Sequence, residues 1–321
     1  MKSFQGLESL PPPRLRFPVL SGRYEVSAGL RPVRFEEALE FDQLWAEYRR
    51  VREQGRRERL EKYLPPPVET SAETLNVIAH RLIDVLVERW GDCFERRGER
   101  ALYCALSDEL IAWSSEGGLD PARSRFTTSV AYRDLWDAVT AQTQEDFAVW
   151  RLDAEREWLG AASLFFPNHW GAEEKIGRGF AAVHAPVADF EPLARRARQF
   201  AEIMVMKGPF ERFAWGLATD ARLNHHPEAP PGEEAAWHGR AFDVAAPRLY
   251  LRTERQTLTP FADRGAGLFT IRTSFRDVAT LTREERALVA SAIEGMGTEA
   301  RRYKGLTQSG ADILAWLASL P

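Results

Sequence analysis

The stretch that decides the fold is "PRLYLRTERQTLTPF", residues 247–261. Its β-branched, aromatic and polar residues predict a long strand. Successive side chains of a strand point to opposite faces of the sheet. The even-numbered face carries Tyr250, Arg252, Glu254 and Gln256, and the odd-numbered face carries Leu249, Leu251, Thr253 and Arg255.

Similar patterns predict strands at residues 157–167, 212–219 and 267–275. Helical patterns at residues 189–206 and 282–296 fall between or after these strands. Because strands and helices do not alternate regularly, we expect a mixed α+β domain built around an antiparallel sheet.

The first half of the chain is mainly helical in pattern. Residues 34–64 carry apolar side chains at helical spacing, and their later arginines alternate with glutamates, which is typical of a solvated helix face. A second helix is predicted over residues 70–90, with Ser71 or Thr70 as its N-cap. A third, within residues 129–150, runs into a strand.

Composition narrows the class of protein. The 321 residues allow one large domain or two coupled ones, and a net charge of −4 gives no reason to expect nucleic acid or an anionic membrane as partner. No apolar run approaches the roughly 20 residues of a membrane helix, and the N-terminus lacks an apolar signal core, so we expect a cytoplasmic protein. Cys93 and Cys104 cannot form a four-cysteine metal site and are expected to be reduced and buried.

Two polar clusters have open interpretations. If residues 267–275 pair with 247–261, Thr270 and Arg272 are expected to join the face of Arg252 and Glu254, and a buried cluster of this kind must be paired or bind a charged ligand. The alternative is a solvated sheet face. The segment "QED" at 144–146 lies at a helix-to-strand transition, where a solvated helix end is the ordinary interpretation.

The chain has six histidines and none of the common catalytic motifs for nucleotide, flavin or zinc. His225, His226 and His238 lie in or after a proline-rich loop and are predicted at the surface, whereas His80 is predicted at the edge of the core. The pattern leaves His184 open as a metal or haem ligand, a base, or an ordinary histidine near a turn. His169, at the end of a predicted strand, is also left open.

Four segments together resemble a known family. They are "AQTQEDFAVW" (141–150), "SLFFPNHWGAEEKIGRGFAAVHAPVADF" (163–190), "RTERQTL" (252–258) and "GLFTIRTSF" (267–275). In this order they resemble the haem-dependent oxidative N-demethylases, and the likeness extends over about residues 20–300. The resemblance implies a PAS-like antiparallel sheet that holds haem b, with a mainly helical N-terminal half packed on it.

The same resemblance implies a reaction and a set of partners. It implies that molecular oxygen oxidises a small secondary amine and that formaldehyde is released. The resemblance further implies that the electrons come from NADPH through flavin and 2Fe-2S groups on a separate reductase subunit. The lack of a nucleotide motif and of sufficient cysteines in this chain agrees with a haem-only subunit.

The resemblance also assigns boundaries. We expect an extended arm at 1–19, a mainly helical region at 20–148, a PAS-like haem-binding region at 149–300 and a C-terminal helix at 301–321. Residues 20–321 are expected to form one compact unit.

Residue roles follow from the matching positions. His184 is implied as the axial haem ligand, since neutral imidazole is a common donor to iron. Glu254 is expected to bind the substrate ammonium or relay protons, with Gln256 and Tyr250 placing a distal water. The expected haem contacts are the propionate partners Lys175, Arg178, Arg252 and Arg255 and the ring walls Trp170 and Phe269.

The sequence departs from the family at Ala214, where asparagine is usual, at "TPF" after Leu258, and at "PNHW" (167–170). These differences keep two alternatives open. One is a haem-binding sensor without catalytic activity, and the other is a haem-free family member.

Overall fold

The computed structural model describes residues 7–25, 29–233 and 242–321, and it confirms the α+β class. The α-helices are α1 Trp45–Tyr63, α2 Ala72–Arg89, α3 Leu135–Thr140, α4 Ala172–Lys175, α5 Phe180–His184, α6 Glu191–Ala194, α7 Ala197–Met206, α8 Arg283–Glu294, α9 Thr298–Tyr303 and α10 Gly310–Ser319. The strands are β1 Arg31–Pro32, β2 Phe94–Arg96, β3 Ala101–Cys104, β4 Glu109–Ala112, β5 Asp146–Leu152, β6 Glu157–Ser163, β7 Phe210–Ala218, β8 Tyr250–Phe261 and β9 Ala266–Asp277. No described helix is long and apolar enough to cross a membrane.

The centre of the fold is a six-stranded antiparallel sheet in the order β1-β7-β8-β9-β5-β6. The predicted strand at 247–261 is β8, and it forms a hairpin with β9 that pairs Tyr250 with Asp277 and Phe261 with Ala266. Gly265 closes the hairpin turn at φ +54°, a left-handed conformation that glycine adopts without strain. The four strands predicted from pattern are confirmed as β6, β7, β8 and β9.

Two helical layers cover the sheet. The N-terminal half supplies α1, α2, α3 and a small sheet β2-β3-β4, whose apolar side chains form the largest core together with Phe147, Val149 and Ala161. The helices α4 to α7, which connect β6 to β7, lie over the opposite face, where α7 contacts β5, β8 and β9. The helices after β9 form a further core with Leu217 and Leu251.

Gly267 allows the close approach of α7 to the sheet. A Cβ atom at this position would lie 2.5 Å from the carbonyl oxygen of Met204, in the backbone of α7. We expect Gly267→Ala to destabilise the chain by about 1–3 kcal/mol, because a rigid backbone must move. The measurement is the urea midpoint of unfolding. Gly216→Ala is the matched control, since nothing lies within 4 Å of its added Cβ; equal midpoints for the two variants would contradict the account.

The solvated helix face expected on α1 is confirmed for Arg57 and Arg59, which are exposed, and is wrong for Arg56, which is buried. The helix begins at Trp45, and only a short 3-10 turn, Phe35–Glu37, precedes it within residues 34–44. Arg49, Arg52 and Arg56 are buried because distant acids pair with them. The pairs are Arg49 with Glu109 at 2.9 Å, Arg52 with Asp146 at 4.0 Å and Arg56 with Asp137 at 2.5 Å.

The second predicted helix is confirmed as α2, whereas the third is present only as the short helix α3. Ser71 caps α2, as predicted, by accepting the backbone N–H of Thr74 at 3.2 Å. The third helix is only six residues long, and the residues after it are buried, so the solvated helix end expected at 144–146 is wrong. Burial raises the pKa of both Glu145 and Asp146 to about 7. Cys93 and Cys104 are free and buried, as predicted.

Candidate functional site

A polar group occupies the middle of the sheet, on the face that α4 to α7 cover. On β8, Glu254 is paired with Ala214 of β7 and Thr273 of β9. Two residues further along β8, Gln256 is paired with Arg212 of β7. The side chain of Glu254 is 16% exposed although β8 is a central strand, so the face above it is not filled by apolar packing.

Glu254 is held by its neighbours on the same strand. Arg252 donates to Glu254 Oε1 in a short contact, and Gln256 Nε2 donates to Glu254 Oε2 at 2.9 Å. Arg252 is fixed in turn, since it donates to the carbonyl oxygen of Phe166 at 2.8 Å and to Thr273 Oγ1 at 3.2 Å. The alternation of β8 predicts these contacts, and they give the carboxylate one defined position.

Arg212 is a site residue that the sequence did not indicate. Its Nε atom is buried without a hydrogen-bond partner. Burial lowers the pKa of Arg212, and the charge of Glu254 opposes that shift. A partly buried guanidinium whose Nε has no hydrogen-bond partner favours the binding of an anionic group. The register of β7 against Gln256 is the signal that would have identified it.

His184 ends α5 and lies among aromatic rings. Its ring stacks on Phe190 at 4.9 Å and lies 4.3 Å from the ring of Phe180. Its Nδ1 is 2.8 Å from the carbonyl oxygen of Phe180, a distance at which Nδ1–H donates and the lone pair is left on Nε2. Burial, with smaller contributions from Lys175 and Arg212, lowers the pKa of His184 to about 4, which favours the neutral imidazole.

The low pKa of His184 predicts a pH dependence of stability. Between pH 6.5 and about 4 the unfolded chain binds a proton at this histidine that the folded chain does not, so acidification favours unfolding. From pH 7 to pH 5 we expect His184 to account for about 2 kcal/mol of lost stability. The check compares urea midpoints at both pH values for the wild type and His184→Phe. An equal loss in both proteins would contradict the assigned pKa.

Other predicted haem contacts lie around His184. Lys175 donates to the carbonyl oxygen of Val183 in a short contact, and its ammonium lies 5.7 Å from the centre of the Trp170 ring. Phe269 of β9 packs against the clusters that contain Trp170 and Val183. Arg178 is exposed. The structure therefore brings Lys175, Trp170 and Phe269 to one region, and their proposed roles stay predictions.

Two residues that we expected on the same sheet face as Glu254, Thr270 and Arg272, lie on the other face. Arg272 pairs in register with Arg255 and Thr270 with Thr257, so both lie on the face opposite Glu254. Arg272 is bound by Asp42 at 2.5 Å and Arg255 by Glu211 at 2.8 Å. Arg255 therefore lies on the sheet face opposite Glu254 and already has a carboxylate partner, so we do not propose it as a propionate partner.

Tyr250 begins β8, where it pairs with Ala218 and Asp277. Glu254 is four positions further along the strand, a distance of about 13 Å. The structure therefore places Tyr250 at the far end of the polar face from Gln256, and we leave it out of the proposed site.

The histidines of the proline-rich loop are buried, so the surface prediction for two of them is wrong. His225 Nε2 lies 2.8 Å from Asp220 Oδ1, and His226 Nε2 lies 3.1 Å from Glu173 Oε1. The ring of His169 lies 5.2 Å from that of His225. His80, at the core edge as predicted, lies 3.1 Å from the carbonyl oxygen of Gly117; His238 lies outside the described residues.

Within the described ranges, no group of three or more histidine, cysteine, aspartate or glutamate side chains is placed to hold a metal ion. A family model described as "Haem-dependent oxidative N-demethylase, alpha subunit-like" matches residues 29–314. No curated protein matches the sequence.

Proposed function

Since the chain belongs to the haem-dependent oxidative N-demethylase, alpha subunit-like family, we propose that it binds haem b and oxidatively removes an N-methyl group from a small secondary amine. The observation that carries the proposal is the pairing of two features. A neutral imidazole ends α5, and a fixed carboxylate lies on the sheet face that α4 to α7 cover. The five strands β5 to β9, with those helices on one face, support the PAS-like description.

The residues present fit haem on three grounds. His184 has its Nδ1 engaged, so Nε2 is the nitrogen that would hold the haem iron. Arg212 Nε is a buried donor without a partner, and an anionic haem propionate would accept from it. Gly216, on the same face of β7 as Arg212, has nothing within 4 Å of an added Cβ, so there is open space above the sheet.

Each chain residue then has a distinct task. Haem, when bound, supplies the chemistry of molecular oxygen. His184 Nε2 would hold the haem iron, and the rings of Trp170 and Phe269 would limit the access of water. The proposed propionate partners are Lys175 and Arg178, to which we add Arg212.

Glu254 is the proposed contact for the amine. Its carboxylate accepts an N–H of the ammonium substrate and can hold the proton that the amine gives up. Arg252 and Gln256 keep the carboxylate in place through the hydrogen bonds described above. Gln256 also keeps an amide oxygen with which to orient a water molecule.

The electrons are proposed to come from a separate reductase subunit that carries flavin and 2Fe-2S groups and takes NADPH. The description "alpha subunit-like" supports a partner subunit. The two cysteines of this chain are buried and apart from each other in sequence, so we place the iron–sulfur centre elsewhere.

The test is turnover. The full chain loaded with haem, with a ferredoxin-type reductase and NADPH, is incubated with dimethylamine and formaldehyde is measured. We expect formaldehyde in proportion to the amine consumed. Haem uptake with reversible oxygen binding but no formaldehyde from any N-methylamine would favour a sensor instead.

A further inference from the structure

We infer that Asp146 is a positioning residue for Glu254 and acts through the turn at residues 165–166 and through Arg252. The "QED" segment stood out in the sequence, and the proposed reaction does not use it. The functional consequence of the inference rests on the proposed function, but the chain of contacts does not.

The first link is between Asp146 and the turn after β6. Asp146 Oδ1 accepts the backbone N–H of Phe165 at 2.7 Å, and Oδ2 accepts that of Phe166 at 2.8 Å. Both oxygens are therefore used on two consecutive amides. Arg52 of α1 supports the same turn, since its guanidinium lies 4.7 Å and 5.0 Å from the centres of the two rings.

The second link is between the turn and Arg252. The carbonyl oxygen of Phe166 accepts a guanidinium N–H of Arg252 at 2.8 Å. Asp146 thus fixes the amide of the residue whose carbonyl holds Arg252. Each peptide unit is rigid, and only two backbone torsions per residue can rotate. Fixing the amides of Phe165 and Phe166 therefore limits the direction in which the Phe166 carbonyl can point.

The third link is between Arg252 and Glu254. One guanidinium nitrogen contacts Glu254 Oε1 while the other is held by the Phe166 carbonyl and by Thr273. The planar guanidinium therefore transmits the position of the turn to the carboxylate. Asp146 itself is fully buried and hydrogen-bonded to the turn, so its effect on an amine would be indirect.

Asp137 provides a matched control. Like Asp146 it is buried, accepts a backbone N–H (that of Arg133, at 3.0 Å) and pairs with an arginine of α1. Its contacts, with Arg56, Arg133 and the cap residue Asp134, do not lead to β8. A purely structural effect of losing a buried carboxylate should appear in both variants.

The deciding experiment is a pair of double-mutant cycles on the full chain without added haem. Urea midpoints are measured for Asp146→Asn, Asp137→Asn and Glu254→Ala, and for each aspartate variant combined with Glu254→Ala. We expect the Asp146 and Glu254 shifts to be non-additive and the Asp137 and Glu254 shifts to add. Additive shifts in both cycles would overturn the inference.

A second readout concerns the haem-loaded chain. Dimethylamine is titrated and its dissociation constant is taken from the change in the haem spectrum. We expect Asp146→Asn to weaken binding by roughly tenfold and Asp137→Asn to leave it unchanged. Equal weakening in both variants would contradict the inference. A wild type that takes up no haem would defeat the proposed function, while the cycles would still decide the role of Asp146.

Discussion

Glu254→Gln is expected to lower amine turnover by about 10²–10⁴-fold, the usual contribution of a residue that transfers a proton. The amide keeps the size of the side chain, and its one oxygen can accept from Arg252, while its NH2 group faces Gln256 and can donate to the amide oxygen of that residue once the amide is flipped. It has no charge for an ammonium and cannot hold a proton at its oxygen. Haem uptake should be retained, because His184 lies on a different element. The measurement is formaldehyde release under saturating amine, together with the haem spectrum.

Glu211→Gln is the control for this prediction. Glu211 also lies on the central sheet and also pairs with an arginine, Arg255, at 2.8 Å, but on the opposite face. We expect the variant to retain turnover within a few-fold of the wild type. If Glu254→Gln turned over amine as well as Glu211→Gln, the proposed role of Glu254 would be wrong.

Arg56→Met is expected to destabilise the chain by about 3–5 kcal/mol, the usual cost of removing one partner of a buried ion pair. The guanidinium of Arg56 stacks on the ring of Tyr132. It donates hydrogen bonds to Asp137 and to the carbonyl oxygens of residues 130 and 131. The variant leaves the Asp137 carboxylate buried without its guanidinium. The measurement is the free energy of unfolding in urea at pH 7.

Arg57→Met, one position along α1, is the control. Arg57 is exposed, so we expect its free energy of unfolding to change by no more than about 0.5 kcal/mol. Similar losses in the two variants would mean that the buried pair does not stabilise this half of the chain.

The hairpin was predictable because both strands carry strong local patterns. Alternation correctly grouped Arg252, Glu254 and Gln256, whose contacts lie within one strand. The register between β8 and β9 was not predictable from either strand alone. A shift of one residue exchanges the faces, and for this reason Arg272 was assigned to the polar face although it lies opposite.

The sequence pattern did not predict which polar side chains are buried, and this has a physical cause. In the sequence, the buried arginines of α1 cannot be told from the exposed ones, because the acids that pair with them lie far along the chain: Glu109 is 60 residues from Arg49 and Asp137 is 81 from Arg56. Arg212 could not be identified as a site residue from the sequence for a related reason: what marks it is a buried Nε atom without a hydrogen-bond partner. Such facts become visible only when the chain is folded.

The most direct test of the central claim is a haem titration of the purified chain, followed by its absorption spectrum in the ferric and ferrous states. We predict that the wild type binds haem and gives a Soret band, and that His184→Ala loses or shifts that band, whereas the conservative variant His226→Gln keeps it. A wild type that stays colourless would contradict haem binding. Identical spectra for the wild type and His184→Ala in both oxidation states would remove His184 as the ligand.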